Sequence, residues 1–431
     1  MHLVPDDIAV CHAVPSLVCG AVNANGDVAS RVTVANASAV SQDEAYRDRI
    51  GVATALGMPR FLLCMAGCPL TLAQHVLYTQ WNACARPQPW SPWRRASRGK
   101  GDGVRILVTG AGGFVGLHIV SELAAAGHTV LGLSRALPAP ETRTALGEHV
   151  TFHIGDVRDH LAIEELVVAW QPTQIIHAAA ITPSAEDEDT RPREIVETND
   201  LSTLTLLTAA VRAGVERVLF LSSAAVYAET AGDSRLSENA PVRRHGGLYA
   251  LTKLASEGYC RWAAGRYGLD ARCVRIGPVY GFYERPTASR QAMSHVYRAV
   301  HLALRGETLR CNNPAAVYDW VSGEDVGQAL LQLLTAPDLT RDTYNLAGEA
   351  TTMERMVRAV TAAIPGSRVV WGSAEDANLP VPARNPRGPL DASALERDTG
   401  YRPRRTIESG IRAYVAALTS AGATTSGHAE A

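Results

Sequence analysis

The sequence predicts an α/β fold in which helices cover both faces of a parallel β-sheet. Three observations predict it. From residue 104 onward, strand-like apolar segments alternate with helical segments, the order that produces parallel sheets. The first strand-like segment ends in spaced glycines and opens a helical pattern, in Val104-Arg-Ile-Leu-Val-Thr-Gly-Ala-Gly-Gly-Phe-Val-Gly116. A hydrophobic content of 46% with 19% charged residues is that of an ordinary globular protein.

The elements follow from this alternation. Short β-branched and apolar runs bounded by turn residues predict strands, and the longer amphipathic stretches between them predict helices. The strands are Val104–Thr109, Thr129–Leu133, Val150–Ile154, Gln174–Ala178, Val218–Ser222 and Ala271–Ile276. The helices lie near residues 114–126, 160–169, 194–213 and 249–267. Because ligands bind beyond the carboxyl ends of parallel strands, the polar residues that follow the strands are the candidate site.

We divide the chain into four parts. Residues 1–103 are a leader of uncertain order that ends in a Pro- and Arg-rich linker. Residues 104–276 form a dinucleotide-binding domain of the Rossmann type, a doubly wound parallel sheet. Residues 277–418 form mainly a smaller C-terminal α/β substrate lobe, while 319–336 return to the first domain. Residues 419–431 are small and polar and form a flexible tail.

Bulk properties exclude several classes of function. A formal net charge of −2 gives no basic footprint for nucleic acid. The apolar runs are too short to span a membrane, and the first residues lack the features of a secretory signal. Eight scattered cysteines indicate reduced thiols, so we expect a cytoplasmic protein. Cys64, Cys68 and His75 do not match the spacing of a structural zinc site, and we predict no metal.

The glycine segment predicts a phosphate-binding turn. Gly110 permits the tight turn, Gly113 lets the backbone approach a diphosphate, and Gly116 lets the helix pack closely on the strand. The first amides of the helix, around Phe114 and Val115, then point toward the anion. We therefore predict that a nicotinamide dinucleotide binds here.

The ends of the second and third strands bear on the choice of cofactor. An enzyme selective for NAD usually has a carboxylate where this chain has Ser134, and a carboxylate would repel the 2′-phosphate of NADP. Arg135 offers a charged planar fork to that phosphate, although an arginine here can also be merely solvated. These residues favour NADP over NAD. Asp156 either accepts a hydrogen bond from the adenine amino group or serves as a turn or N-cap residue.

Tyr249 and Lys253 are the candidate catalytic pair. Their spacing of four places both side chains on one face of a helix. A free tyrosine titrates near pH 10, and a nearby ammonium together with a cationic nicotinamide favours the phenolate, which makes proton exchange with a substrate hydroxyl feasible. Ser223, at the end of the fifth strand, presents a hydroxyl suited to bonding a substrate carbonyl or alkoxide.

The chain resembles the extended short-chain dehydrogenases/reductases, and more narrowly the NAD-dependent epimerase/dehydratase family, over about 104–415. The resemblance is carried by motifs in a fixed order, namely Thr109–Gly116, Gly155–Asp159, His177–Ala180, Asn199, Ser222–Tyr227, Tyr249-x-x-x-Lys253 and Arg275–Gly281. It implies Tyr249 as the acid/base, Lys253 as the residue that lowers its pKa and holds the cofactor, and Ser223 and Asn199 beside them. It also implies that Val157, Ala178 and Ala179 contact the cofactor, and that two subunits form a homodimer through helices 194–213 and 249–267.

Two departures from the family pattern concern the substrate. Tyr318 stands where nucleotide-sugar enzymes commonly carry an arginine that clamps a diphosphate, and Gly277 stands where they often have a substrate-binding asparagine. Arg285 and Arg290 could substitute, although loop arginines are usually only solvated. We therefore expect a carbohydrate-like small molecule, with Tyr318, Ser223 and Tyr249 contacting it.

The sequence thus predicts an NAD(P)-dependent oxidoreductase in which Tyr249 exchanges the proton. The alternatives are a nucleotide-sugar epimerase with no net redox change and a non-catalytic protein that senses the cofactor. Ala224 and Ala225 follow Ser223 where a dehydratase usually has an acidic pair. His177 is interpreted as a packed structural residue, and Asp187-Glu-Asp189 as a solvated loop.

Overall fold

The computed structural model describes residues 18–22, 28–33, 104–229, 235–382 and 387–426. In the leader, β1 (Val18–Val22) and β2 (Val28–Thr33) form an antiparallel pair with an irregular register at Ala21 and Val22. The chain divides into two compact units at residues 94 and 95, and the predicted domains from 104 onward all belong to the second unit.

A seven-stranded sheet forms the centre of the second unit. All its neighbouring strands pair in parallel, in the order β13-β8-β7-β6-β3-β4-β5. The strands are β3 (Arg105–Thr109), β4 (Thr129–Ser134), β5 (Val150–Ile154), β6 (Gln174–His177), β7 (Arg217–Ser223), β8 (Asp270–Ile276) and β13 (Thr343–Leu346). The predicted Rossmann-type fold is confirmed, and the six predicted strands differ from the observed ones by at most a residue at either end.

The helices follow the strands in the predicted alternation. In the first part they are α1 (Phe114–Ala125), α2 (Pro140–Leu146), α3 (His160–Trp170), α4 (Ala185–Thr190), α5 (Pro192–Val196), α6 (Ser202–Ala213) and α7 (Leu248–Tyr267). The later ones are α8 (His295–Leu304), α9 (Gly323–Thr335), α10 (Met353–Ala363), α11 (Ser393–Thr399) and α12 (Ile407–Ser426). Between α5 and α6 the chain forms one π-helical turn, Glu197–Leu201.

Both faces of the sheet are buried, as a doubly wound fold requires. Along β3, Ile106 and Val108 pack into the core under α1 and α9, whereas Leu107 packs into the core under α3, α6 and α7. Helices α1 and α9 approach closely because Gly327 has no side chain; a Cβ there would lie 2.7 Å from the His118 carbonyl oxygen. The alternation of side chains along each strand thus fixes two separate cores.

The substrate lobe has a core of its own, formed by α8, α10, α12 and short strands. The short strands are β9 (Val279–Tyr280), β10 (Leu309–Cys311), β11 (Val317–Tyr318), β12 (Val321–Ser322), β14 (Thr351–Thr352) and β15 (Val369–Trp371). The chain returns to the large domain at α9, within the predicted 319–336. It also returns at Thr343–Leu346, which the sequence analysis left in the lobe, because β13 pairs with β8 at the sheet edge.

The acidic segment near residue 187 is not a loop, and that prediction was wrong. Ser184 and Asp187 form a reciprocal capping box at the start of α4, and three acidic residues occupy the first turn. Carboxylates stabilise a helix N-terminus because they compensate the helix dipole, and Arg191 pairs with Asp187 at 2.9 Å. Capping and pairing therefore outweigh the repulsion between the acids.

The described residues contain neither a membrane-spanning helix nor a metal-binding cluster. None of the described helices is both long and apolar enough to cross a membrane. No cluster of three His, Cys, Asp or Glu residues within the described ranges could hold a metal ion. The candidate ligands Cys64, Cys68 and His75 lie outside the described residues.

Candidate active site

A cavity of about 780 Å³ opens at the carboxyl ends of the central strands. The glycine turn forms one wall. Gly110 has a φ of +70°, which favours glycine, and a Cβ at Gly116 would overlap the Gly110 carbonyl oxygen. The amide of Gly113 donates to Gly110 O at 3.0 Å, and no side chain caps α1. The first amides of α1 are therefore available to an anion, at the place where the sequence predicted a diphosphate.

Ser134, Arg135, Asp156 and Val157, which the sequence analysis proposed for the adenosine part of the cofactor, line one end of the cavity. Asp156 accepts hydrogen bonds from the Arg158 guanidinium at 2.7 and 3.1 Å, and these bonds lower the pKa of its carboxyl. Asp156 is a turn residue, since its carboxylate also accepts from the Arg158 amide. The N-cap of α3 is Asp159.

Arg135 and Arg158 both approach Glu194. Arg135 lies 3.9 Å from the Glu194 carboxylate and has half of its side chain exposed, whereas Arg158 lies 3.5 Å from it. Ser134 donates to Ala136 O at 2.7 Å, so β4 ends in a hydroxyl where NAD-selective enzymes usually have a carboxylate. Sequence reasoning missed Arg158, although its position two residues after Asp156 could have indicated it.

Tyr249 and Lys253 lie on the face of α7 that lines the cavity. The Lys253 ammonium donates to Leu221 O at 2.7 Å, lies 4.8 Å from the Phe220 ring centre and 5.9 Å from that of Tyr249. Burial lowers the pKa of Lys253 to about 8, and the nearby Glu257 carboxylate opposes this shift. The ammonium is therefore buried between the end of β7 and the tyrosine.

Ser223 and Thr182 line the cavity together with Tyr249, and their hydroxyls lie close enough to the phenol to act on its pKa. Burial raises the pKa of Tyr249, while both hydroxyls and the positive charge of Arg290 act in the opposite direction. A substrate carbonyl or hydroxyl oxygen placed between Ser223 and Tyr249 would lie within reach of two hydroxyl donors. Thr182 was missed, because its proximity to Tyr249 joins two distant parts of the chain.

Asn199 lies behind the cavity wall. Its side chain is fully buried, accepts from the Ile181 amide at 2.7 Å and donates to the Ile181 carbonyl at 2.8 Å. The π-helical turn that contains Asn199 turns this side chain toward Ile181, the neighbour of Thr182. Its contacts indicate that Asn199 positions the segment carrying Thr182.

His177 is also buried behind the cavity, as expected of a packed residue. Its Nδ1 bonds the Thr109 hydroxyl at 2.6 Å, and its Nε2 lies 3.1 Å from the Thr203 hydroxyl. Burial lowers the pKa of His177 to about 3, so the ring is neutral at ordinary pH. The next residues, Ala178 and Ala179, line the cavity beside Gly110, as predicted.

Two carboxylates that the sequence analysis did not identify hold α7 in place. Glu257 is fully buried and accepts from Arg275 at 2.7 and 2.8 Å and from the Ser222 hydroxyl at 2.7 Å. Glu188 lies at the N-terminus of the helix, where the amide of Tyr249 donates to it at 3.4 Å. Tyr249, Lys253 and Glu257 follow one another at intervals of four residues, so one stripe of α7 carries all three.

The substrate end of the cavity contains Tyr318, as predicted, and Arg387. The Tyr318 ring stacks on Trp320 at 4.9 Å and lies 5.0 Å from the His295 ring. Arg387 comes from a different element and pairs with Asp319 at 3.0 and 3.2 Å. A guanidinium therefore stands beside Tyr318, although it does not come from the position that the family pattern indicates.

The chain is similar in sequence to proteins of a known enzyme family. The model of the NAD dependent epimerase/dehydratase family matches residues 106–347. A dTDP-glucose 4,6-dehydratase of Xanthomonas campestris pv. campestris (strain B100) is 27% identical over 329 aligned residues, covering 71% of this chain and 90% of that protein. A UDP-glucose 4-epimerase of Halalkalibacterium halodurans is 32% identical over 170 residues, covering 39% of this chain and 49% of that protein.

Solved structures are similar over the same region. The crystal structure of Thermus thermophilus UDP-glucose 4-epimerase in complex with NAD has a TM-score of 0.62 and 29% identity, covering 74% of this chain and 100% of its own. The structure of MoeE5 in complex with UDP-glucuronic acid and NAD has a TM-score of 0.61 and 25% identity, with 74% of this chain and 99% of its own covered.

Proposed function

The chain belongs to the NAD-dependent epimerase/dehydratase family, and from this premise we propose that it transfers hydride between a nicotinamide dinucleotide and a carbohydrate carbon. The observation that carries the proposal is the placement of Tyr249, Lys253 and Ser223 on one cavity with the glycine turn. When bound, the cofactor supplies or accepts the hydride.

The residues fit such a cofactor. The turn at Gly110 and the uncapped start of α1 form a cradle that a Cβ at Gly116 would fill. Ala178 and Ala179 leave room beside it, and Lys253 lies deeper in the cavity. We assign the diphosphate to the glycine turn and the adenosine to the end that contains Arg135 and Asp156. The absence of a carboxylate at Ser134 supports NADP as the favoured cofactor, with NAD as the alternative.

The protein residues divide the chemistry between them. Ser223 orients the substrate oxygen by a hydrogen bond, and Tyr249 gives a proton to that oxygen or takes one from it. The positive charge of Arg290 and the hydroxyls of Ser223 and Thr182 favour the phenolate. The Lys253 ammonium, 5.9 Å from the Tyr249 ring centre, adds a charge of the same sign. Proton transfer by a positioned acid contributes about 10²–10⁴-fold to the rate.

The second candidate is epimerisation without net redox change, in which the hydride returns to the same substrate. The names of the relatives support it, since UDP-glucose 4-epimerases are among them. Dehydration has less support, because eliminating water needs a further acid and base. Among the described residues lining the cavity, Asp156 is the one carboxylate, and it lies at the adenosine end.

A turnover screen tests the proposal. Purified protein is incubated with NADPH or NADH and with NADP or NAD, against sugars, sugar acids and nucleotide sugars. A net oxidoreductase changes the nicotinamide absorbance in proportion to product. An epimerase yields a diastereomer, seen by NMR, without stoichiometric cofactor change and without solvent deuterium in the product. Failure of every substrate to react while cofactor still binds would favour the cofactor-sensing alternative.

A homodimer through α6 and α7 is also part of the proposal. Leu201, Leu251 and Trp262 are 38%, 37% and 42% exposed in the single chain. Leu251 and Trp262 are eleven residues apart, a spacing that brings both to one face of α7. Light scattering on purified protein would measure the assembly, and a monomer at all concentrations would contradict it.

A further inference from the structure

The cavity is strongly cationic along its walls. Among the described residues that line it, Asp156 is the one carboxylate, whereas the cations are Arg135, Arg243, Lys253, Arg285, Arg290 and Arg387. Arg387 is bound to Asp319 through two nitrogens. Arg290 likewise pairs with Glu284 and Arg243 lies 3.8 Å from Glu229, whereas no salt bridge to Arg285 is found among the described residues. The carboxylate partners of these arginines lie outside the cavity lining, so the surface that faces the cavity carries cationic groups, which favours an anionic ligand.

Arg290 is a cavity-lining cation whose charge acts on Tyr249. The amide of Thr182 donates to Ser289 O at 2.8 Å, and Thr287 and Arg290 exchange backbone bonds of 2.9 and 3.1 Å. Since Thr182 lines the cavity with Tyr249 and its hydroxyl lowers the pKa of that phenol, this turn lies beside the catalytic residue. The position of Arg290 is thus fixed relative to Tyr249 by backbone pairing.

The Arg290 side chain is anchored at one nitrogen only. Its Nη2 donates to Glu284 at 2.9 Å, and the buried Glu284 carboxylate also accepts from the Ser294 amide and hydroxyl at 2.7 Å each. Its guanidinium carbon lies 5.4 Å from the Phe114 ring centre. The Nε of Arg290 is buried and has no acceptor among the described residues. A buried donor without an acceptor is unfavourable, so a ligand oxygen that bonded this guanidinium would satisfy it.

We propose that Arg290 binds a carboxylate of the substrate, carried beside the carbon on which Tyr249 acts, so that the substrate class is a sugar acid. A carboxylate offers two planar oxygens to the planar guanidinium, the geometry in which such pairs are strongest. This inference rests on the proposed function, because it takes Tyr249 as the residue that meets the reacting carbon. Glu284 and Ser294 hold the guanidinium in position for that carboxylate.

Substrates matched in every respect but the acid provide the test. UDP-glucuronic acid and UDP-glucose, and free glucuronate and glucose, differ only by a carboxylate in place of a hydroxymethyl group. We expect the wild type to have the higher kcat/KM for the acid of each pair that reacts. In Arg290→Gln the ratio of kcat/KM for the acid to kcat/KM for the neutral sugar should fall about 10- to 100-fold, because the loss of the Arg290 charge beside Tyr249 slows both substrates alike and cancels in the ratio. Arg305→Gln, at an exposed pair with Glu307, is the control.

Two further measurements separate other roles of Arg290. The cofactor Kd, measured by calorimetry without substrate, should change about twofold or less in Arg290→Gln. A large loss of cofactor affinity would assign Arg290 to the cofactor diphosphate instead, and would overturn the proposal. Losing the Arg290 charge also raises the pKa of Tyr249, so rates are compared across pH. An equal loss for both sugars at every pH would equally overturn it.

Measurements of substrate binding test the role of Arg290 even if no sugar turns over. Calorimetric titration of UDP-glucuronic acid and UDP-glucose into the cofactor complex of Tyr249→Phe, with and without Arg290→Gln, measures the selectivity for the acid directly. Selectivity that disappears with Arg290 supports the carboxylate site even where the proposed function fails. Absence of any selectivity for the acid in the Tyr249→Phe protein would refute it.

Discussion

The Arg275 guanidinium donates to both oxygens of the Glu257 carboxylate, at 2.8 and 2.7 Å, in a part of the core where Glu257 has no solvent exposure. The pair joins the end of β8 to α7, one turn after Lys253. Ser222 adds a bond from β7 to the same carboxylate. The helix that presents Tyr249 and Lys253 is therefore fixed to two strands at the edge of the cavity.

We predict that Glu257→Gln destabilises the fold by roughly 3–5 kcal/mol, because it leaves the buried Arg275 charge without its partner. Urea unfolding measures the free energy of unfolding. Glu354→Gln is the matched control, since its pair with Arg358 lies on the surface of α10 and contributes about 1 kcal/mol or less. Similar losses in the two variants would contradict the prediction.

Tyr249→Phe should lower kcat by about 10²–10⁴-fold, because the variant keeps the ring but has no proton to exchange. The cofactor Kd should stay within about threefold of the wild-type value. Tyr267→Phe, at the opposite end of the same helix, is the control and should retain turnover. Near wild-type activity in Tyr249→Phe would refute the catalytic assignment.

The stability of the protein should depend on Lys253 at alkaline pH. Burial lowers the pKa of Lys253 from its ordinary 10.5 to about 8. Between these values the unfolded chain retains a proton that the folded chain has released, so stability rises with pH across this window. Relative to Lys253→Met, the wild type should gain up to about 3 kcal/mol between pH 7 and 10.5. A stability difference that does not vary with pH would show that the ammonium is not desolvated.

Arg135→Ala should weaken NADPH binding about 10- to 100-fold and NADH binding about threefold or less, because only NADPH carries the 2′-phosphate. Calorimetric titration of both cofactors measures this without turnover. Arg212→Ala removes an exposed arginine that pairs with Glu164 and serves as the control. Equal loss for the two cofactors would show that Arg135 does not select NADP.

A chain that begins at residue 104 should fold and bind cofactor as tightly as the full chain. Every described residue that lines the cavity lies at or beyond Gly110. Circular dichroism and cofactor titration on residues 104–431 test this. A large loss of cofactor affinity would assign the leader a part in the site.

The fold and the cofactor end of the site could be predicted from sequence because their signals are local. Gly110, Gly113 and Gly116 lie within one turn, and Tyr249 and Lys253 lie on one helix face. The substrate end could not be predicted in the same way. The residues there come from segments far apart in the chain. Thr182 lies near Tyr249, Arg387 pairs with Asp319, and Glu188 of α4 accepts from the first turn of α7. No short spacing encodes such contacts.

The prediction of a loop at the acidic segment was wrong for a different reason. Charge repulsion alone predicted a loop at Asp187-Glu-Asp189, but Ser184 supplied a cap that the pattern already contained. The motif Ser-x-x-Asp can close a capping box reciprocally, and three acids in a first turn favour a helix. Considering the N-cap residue Ser184 before the repulsion between the acids would have predicted α4.

The chain crosses between the two lobes more than once, since α9 and then β13 return to the large domain before α10 begins. No single cut in the polypeptide therefore separates cofactor binding from substrate recognition. A chimera that exchanged everything after residue 277 with a relative would also replace the outermost strand of the sheet and the helix packed on α1. Grafting a new specificity would require transplanting discontinuous pieces, with the strand and the helix left behind in the recipient.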